Sequence, residues 1–112
     1  MKKNFHLITS QKDEKLSLVL EKIYKNNYRT VLVLNKKKII GVISEGDIIK
    51  ALIYNKSLEI TAEKLMNKSF IFLKDRDVEK AKKIFKKNLI GLIPIVGKSM
   101  ELKDFFTLQE FI

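Results

Sequence analysis

The stretch Ile39-Ile40-Gly41-Val42-Ile43-Ser44-Glu45-Gly46-Asp47-Ile48-Ile49-Lys50 decides how this chain folds. Ile39 to Ile43 is an apolar, β-branched run of strand length, interrupted only by Gly41. Ser44 stands where a helix N-cap is wanted, and Asp47 follows three residues later as the acidic member of a capping box. The segment therefore reads as a buried strand running directly into a helix. The same residues admit a second reading. A hydroxyl and free N–H groups at a helix start attract an anion. A carboxylate one turn further in repels a phosphate but accepts hydrogen bonds from a ribose diol. Gly41 would let a flat group approach the strand backbone. On spacing alone, capped helix and ligand contact both stay open.

Upstream, Thr30 to Leu34 is a strand and Asn35-Lys36-Lys37-Lys38 a turn, so Ile39 to Ile43 returns antiparallel. Before that, Leu16, Val19, Leu20, Ile23 and Tyr24 recur at three- and four-residue steps, which predicts an amphipathic helix of about four turns. Thr9, Ser10 and Asp13 offer N-caps for it, Asn26-Asn27 ends it, and Phe5 to Ile8 is a short extended segment ahead of it. Downstream, Ile48, Ile49, Leu52 and Ile53 predict a second helix over Glu45 to Asn55. Lys56 to Ile60 is the linker. Thr61 then caps a short helical turn that packs Leu65 and Met66 inward.

From Phe70 the pattern returns. Phe70 to Leu73 reads as a strand, and Asp75 or Asp77 as an N-cap. Val78, Ala81, Ile84 and Phe85 form the inner face of a helix ending at Asn88. Leu92 to Val96 is a strand whose Pro94 must lie at an edge or a bulge. Gly97-Lys98-Ser99 is a turn, Leu102 to Phe106 returns, and Thr107 to Ile112 opens a helix that the chain hardly completes. The two halves superpose. Asp13 meets Asp75, Val19 meets Ala81, Ile23 meets Phe85, Asn26 meets Asn88 and Leu32 meets Pro94 at one constant offset. One inserted residue in the second hairpin brings Ser44 onto Thr107 and Asp47 onto Glu110. Duplication with matched apolar positions signals internal symmetry. The repeats are placed at residues 1–58 and 59–112. Each is too small to stand alone, and packing the two sheets together buries their open faces.

Composition sets the remaining bounds. At 112 residues, 46% of them hydrophobic, the chain is long enough to bury a core. There is no cysteine, which excludes disulfides and thiolate metal sites and is compatible with a reducing cytoplasm. No apolar run is long enough to span a membrane, and none follows the first lysines as a secretory signal would require. The formal charge is +10, from 23 Lys+Arg against 13 Asp+Glu. Arg29 and Arg76 are the only arginines. The lysines are scattered over every element, which suits a solvated surface better than a nucleic-acid reader. His6 is the only histidine and no serine has a Gly-x-Ser-x-Gly setting, so the residues favour binding over catalysis, and no metal site is expected.

Gly41-x-x-Ser44-x-x-Asp47, after an apolar strand and opening an apolar helix, resembles the ribose-phosphate signature of CBS domains. Thr30 to Gly41 looks like the hairpin that precedes that signature, and the two tandem copies extend the resemblance over nearly the whole chain. It implies an α/β fold of two β-α-β-β-α repeats packed as a pseudo-twofold pair, a Bateman module. It further implies a regulatory, non-enzymatic role: sensing an adenine nucleotide such as AMP, ADP or ATP, often as a homodimer attached to a larger enzyme or transporter. Carried over residue by residue, Ser44 would meet the phosphate and Asp47 the ribose. Ile8, Thr9 and Thr30 would wall or edge the base, and Arg29 would reach a phosphate. In the second repeat Thr107 and Glu110 hold the matching positions. Asp104 replaces the signature glycine there, so that cleft, lined by Phe70, Ile71, Leu92, Thr107 and Glu110, is expected to bind weakly or not at all. The truncated last helix suggests a piece of a longer chain. A dimerisation module with vacant clefts is the alternative, and a basic nucleic-acid binder a more remote one. Ile48, Ile49, Leu52, Ile53 and Phe85 are the expected dimer face.

Overall fold

A computed structural model describes residues 5–112. A 3-10 turn at His6–Ile8 leads into strand β1 (Thr9–Gln11), helix α1 (Leu16–Asn26), strand β2 (Thr30–Asn35), strand β3 (Lys38–Ser44) and helix α2 (Glu45–Ile53). Then follow helix α3 (Ala62–Leu65), helix α4 (Val78–Lys87), strand β4 (Leu92–Val96), strand β5 (Leu102–Thr107) and a 3-10 turn at Leu108–Phe111. In the first sheet β1 runs parallel to β2 and β2 antiparallel to β3; in the second, β4 and β5 are antiparallel. The first extended segment therefore starts later than its sequence suggests, at Thr9 instead of Phe5.

Helix α1 starts without any of its expected caps. Lys15 holds the N-cap position with no side-chain bond, and Thr9 and Ser10 lie in β1. The orphan donors of the first turn go instead to the linker: Leu16 N–H donates to Ile60 O (2.9 Å) and Ser17 N–H to Leu58 O (3.0 Å). The helix ends at Asn27 with φ 63°, as its sequence predicts. Tyr24 is not on its inner face, being 82% exposed, whereas Lys22 is buried with Nζ on Thr9 O at 2.7 Å.

Three apolar clusters hold the molecule. Leu16, Val19, Ile23, Val31, Val33, Ile43 and Ile48 pack α1 and α2 onto the first sheet, with Ala62, Leu65 and Met66 from α3 and its end closing over them. Ala81, Phe85, Ile93, Ile95 and Phe106 do the same for α4 on the second sheet, where Val78 is left exposed at 42%. Between the sheets, Ile8, Leu32 and Ile39 meet Leu92, Val96 and Phe105. Burial of each such side chain stabilises by about 1.5–3 kcal/mol. The symmetry extends to single hydrogen bonds: Glu45 N–H donates to Arg29 O (2.9 Å), and at the matching place Leu108 N–H donates to Gly91 O (3.0 Å).

Phe70 to Leu73 is not a strand. Leu73 alone bridges Ile95, donating its N–H to Pro94 O (2.9 Å) and accepting from Val96 N–H (2.8 Å). Pro94 supplies the reason. Within an extended residue N and C=O point to the same side, so the donor that Pro94 lacks would face the segment before Leu73. Leu32, its counterpart in the first repeat, does have that N–H, and there Thr9 pairs with Leu32 in a true strand. A register shift between Ile95 and Val96 follows the proline.

Candidate functional site

The capping box at the start of α2 is formed in full. Ser44 N–H and Oγ–H donate to Asp47 Oδ2 at 2.8 and 2.9 Å, and Asp47 N–H donates to Ser44 Oγ at 3.2 Å. A carboxylate is an acceptor only, so the Ser44 hydroxyl hydrogen is committed to it. Asp47 Oδ1 takes no part in the cap. The α1–β2 turn beside it is fixed by Asn26, whose amide donates to Leu7 O and Thr30 O (2.9 and 3.0 Å) and whose oxygen accepts from Tyr28 N–H (2.7 Å). That turn carries Asn27 and Arg29 at φ 63° and 62° and brings Arg29 Nε to 3.8 Å from Glu45. Thr30 faces Ser44 across the β2–β3 ladder.

These elements form one side of a cleft of about 900 Å³ between the two repeats. The structure brings Arg29, Thr30, Ser44 and Asp47 to it and leaves Ile8, Thr9, Thr107 and Glu110 out of its lining. Ile8 is 1% exposed in the core between the sheets, and the Thr9 hydroxyl donates to Phe5 O at 2.9 Å. The opposite wall comes from the second repeat: Asn67, Ser69, Phe70, Ile71, the α4–β4 turn, and Leu108 with Gln109. Phe70, Ile71 and Leu92, expected in the second repeat's own cleft, thus stand opposite Ser44 and Asp47. The reason is that Asn67 pairs with β3 of the first repeat. Its N–H donates to Val42 O at 2.8 Å and its O accepts from Val42 N–H at 3.0 Å. The following residues run past α2 before Leu73 reaches its own sheet. Phe70 and Ile71 match Ile8 and Thr9 in the repeat alignment. The repeat alignment of the segment was legible; its failure to form a strand and its exchange between repeats were not.

Gly41 does not lie open to a flat group. The Met66 side chain covers it, and a Cβ at Gly41 would come within 2.6 Å of Met66 Sδ. The second motif is also occupied from within. Glu110 accepts from Thr107 N–H and Oγ1–H. Arg76 donates to Asp104 at 2.7 Å and to Glu110 at 3.3 Å, and its guanidinium lies 4.4 Å above the Phe106 ring. Arg76 was overlooked in the sequence, where its one signal was being one of only two arginines. Of the expected dimer face, Ile49, Leu52 and Ile53 are exposed at 50, 48 and 69%, but Ile48 and Phe85 are buried at 1 and 8%. Among the described residues no group of three or more His, Cys, Asp or Glu side chains is placed to hold a metal, and no helix is long and apolar enough to cross a membrane.

Comparison with known proteins bears on the fold. The family model of the CBS domain matches residues 1–54. No curated protein is significantly similar to the chain in sequence. A CBS domain protein from Pyrobaculum aerophilum, complexed with AMP, superposes with a TM-score of 0.77 at 21% identity, over 92% of this chain and 81% of that one. The CBS domain pair of protein MJ0100, in complex with 5-methylthioadenosine and S-adenosyl-L-methionine, gives 0.77 at 23% identity over 93% and 83%. A CBS domain-containing protein from Thermotoga maritima gives 0.76 at 19% identity over 92% and 80%. Residues 1–54 thus belong to the CBS domain family by sequence, and the chain as a whole has the fold of a CBS domain pair.

Proposed function

We propose that the chain is a regulatory, non-catalytic module that senses an adenine nucleotide of the AMP, ADP or ATP class in the cleft between its repeats. The observation that carries this reading is Asp47: it lines the cleft, and only one of its carboxylate oxygens is used in the helix cap. Oδ1 is left for the ribose 2′- and 3′-hydroxyls. The base would lie toward Thr30, Ile71 and Leu92. The 5′ end would pass Arg29 and Ser44, the latter only by turning its hydroxyl away from Asp47. Relatives solved with AMP, and with 5-methylthioadenosine and S-adenosyl-L-methionine, support an adenosine-type ligand. Homodimerisation through the exposed apolar face of α2, attachment to a larger enzyme or transporter, and a cytoplasmic setting belong to the same proposal.

The test is calorimetric titration of wild type and Asp47→Ala with AMP and ATP, with both proteins melted without ligand. Hydrogen bonds to a charged acceptor are worth about 1.5–3 kcal/mol each, so binding should weaken tenfold or more. Loss of stability with unchanged affinity would confine Asp47 to its helix cap. Glu110→Ala is the control, because Arg76 and Thr107 already engage that carboxylate. A second reading, a dimerisation module that binds nothing, is favoured by the exposed Ile49, Leu52 and Ile53. A nucleotide panel separates the two, since a ligand at one hundred times its dissociation constant adds about 2.7 kcal/mol of stability.

A further inference from the structure

The chain carries a net charge of +10, yet its cleft does not share it. Among the described residues lining the cleft, Arg29 is the one cation, against the carboxylates of Glu45 and Asp47. Arg29 is itself drawn to Glu45, at 3.8 Å. The lysines gather elsewhere: Lys36, Lys37, Lys38 and Lys103 line a separate concavity between the two hairpin turns.

The neutral donors tell the same story. A phosphate at the start of α2 would need N–H and O–H groups. Ser44 N–H and Oγ–H are given to Asp47, Glu45 N–H to Arg29 O, and Asp47 N–H to Ser44 Oγ. In this first turn only Gly46 N–H remains without a bonded acceptor. The helix start therefore spends its anion-binding capacity on its own carboxylate.

We infer that the cleft selects the sparsely charged end of the ligand class: an adenine nucleoside, free or with one phosphate, and not a di- or triphosphate. This rests on the adenosine-binding reading of the same cleft. Each further phosphate enters a site with net negative lining, one exposed arginine, and a helix start whose Ser44 hydroxyl is already committed to Asp47. Field and donor count both oppose it.

Isothermal titration of the intact chain with adenosine, AMP, ADP and ATP at low and at high salt tests the inference. AMP or adenosine should bind at least tenfold more tightly than ATP at low salt, with the gap shrinking as salt screens the carboxylates. Glu45→Gln should narrow the AMP-to-ATP gap at least threefold, because it removes a carboxylate and frees Arg29. ATP binding as tightly as AMP would overturn the inference while leaving the adenosine reading standing. An undiminished gap in Glu45→Gln would overturn the charge argument. Absence of binding by all four ligands would overturn the adenosine reading and this inference with it.

Discussion

Replacing Gly41 by alanine tests how the two repeats are locked together. Gly41 is buried in β3, opposite Val33 and beside the register shift at Val33 and Leu34. A Cβ there would lie 2.6 Å from Met66 Sδ, 2.8 Å from Cγ and 3.0 Å from Cβ. Swinging the thioether away relieves the first two contacts. The third involves the root of the side chain, so the backbone at the end of α3 must shift too. Overpacking of this kind costs about 1–3 kcal/mol. The loss of unfolded-state freedom on replacing glycine returns about 0.4–1 kcal/mol. The net expectation is a destabilisation of about 1 kcal/mol, a fall in Tm of about 5 °C for a domain of this size. The decisive assay is a double-mutant cycle by urea denaturation with Met66→Ala. Once the thioether is gone only the 3.0 Å contact with Cβ remains, so Gly41→Ala should cost clearly less in that background than in wild type. A coupling of about 1 kcal/mol in that direction is expected. Strict additivity would refute the packing account. If Gly41→Ala instead left stability intact and abolished nucleotide binding, the glycine would be serving the ligand after all.

Gly91→Ala should destabilise more, by about 1–3 kcal/mol, because its Cβ would overlap the Tyr28 carbonyl oxygen, a backbone atom with no rotamer to escape by; a thermal melt equal to wild type would count against it. Pro94→Leu restores a donor facing Ile71, and hydrogen exchange should then find the new amide at position 94 protected; an amide exchanging at the unprotected rate would show that the proline is not what keeps Phe70 to Leu73 from pairing. Arg76→Ala removes the clasp on Asp104 and Glu110. With the pair about half exposed, the cost should be about 0.5–1 kcal/mol and should shrink in high salt; a salt-independent loss would point to the ring contact with Phe106 as the main term.

Some of this molecule is written in short stretches of sequence. The Ser44 to Asp47 cap spans four residues, and its hydrogen bonds close through the local backbone whatever packs around it. The inner face of α1 follows from apolar spacing, and its end from an asparagine that tolerates φ 63°. The duplication follows from matched positions at constant offset. Each of these depends on groups that remain neighbours in any compact state, so a pattern of residues suffices to specify them.

The site itself depends on partners far apart in the chain. Asn67 pairs with Val42, not with its own repeat, and so sets Phe70 and Ile71 opposite Asp47. Met66 settles on Gly41, Arg76 reaches Asp104 and Glu110, and Pro94 denies a strand to residues more than twenty positions earlier. In a duplicated chain the two copies of a segment carry nearly the same pattern, so the pattern alone does not assign a segment to a sheet. Sequence alone determined the duplication and the helix cap. Which repeat completes which cleft was decided only by tertiary packing, because that choice is made by backbone edges and side-chain volumes that meet only when the two sheets close on each other.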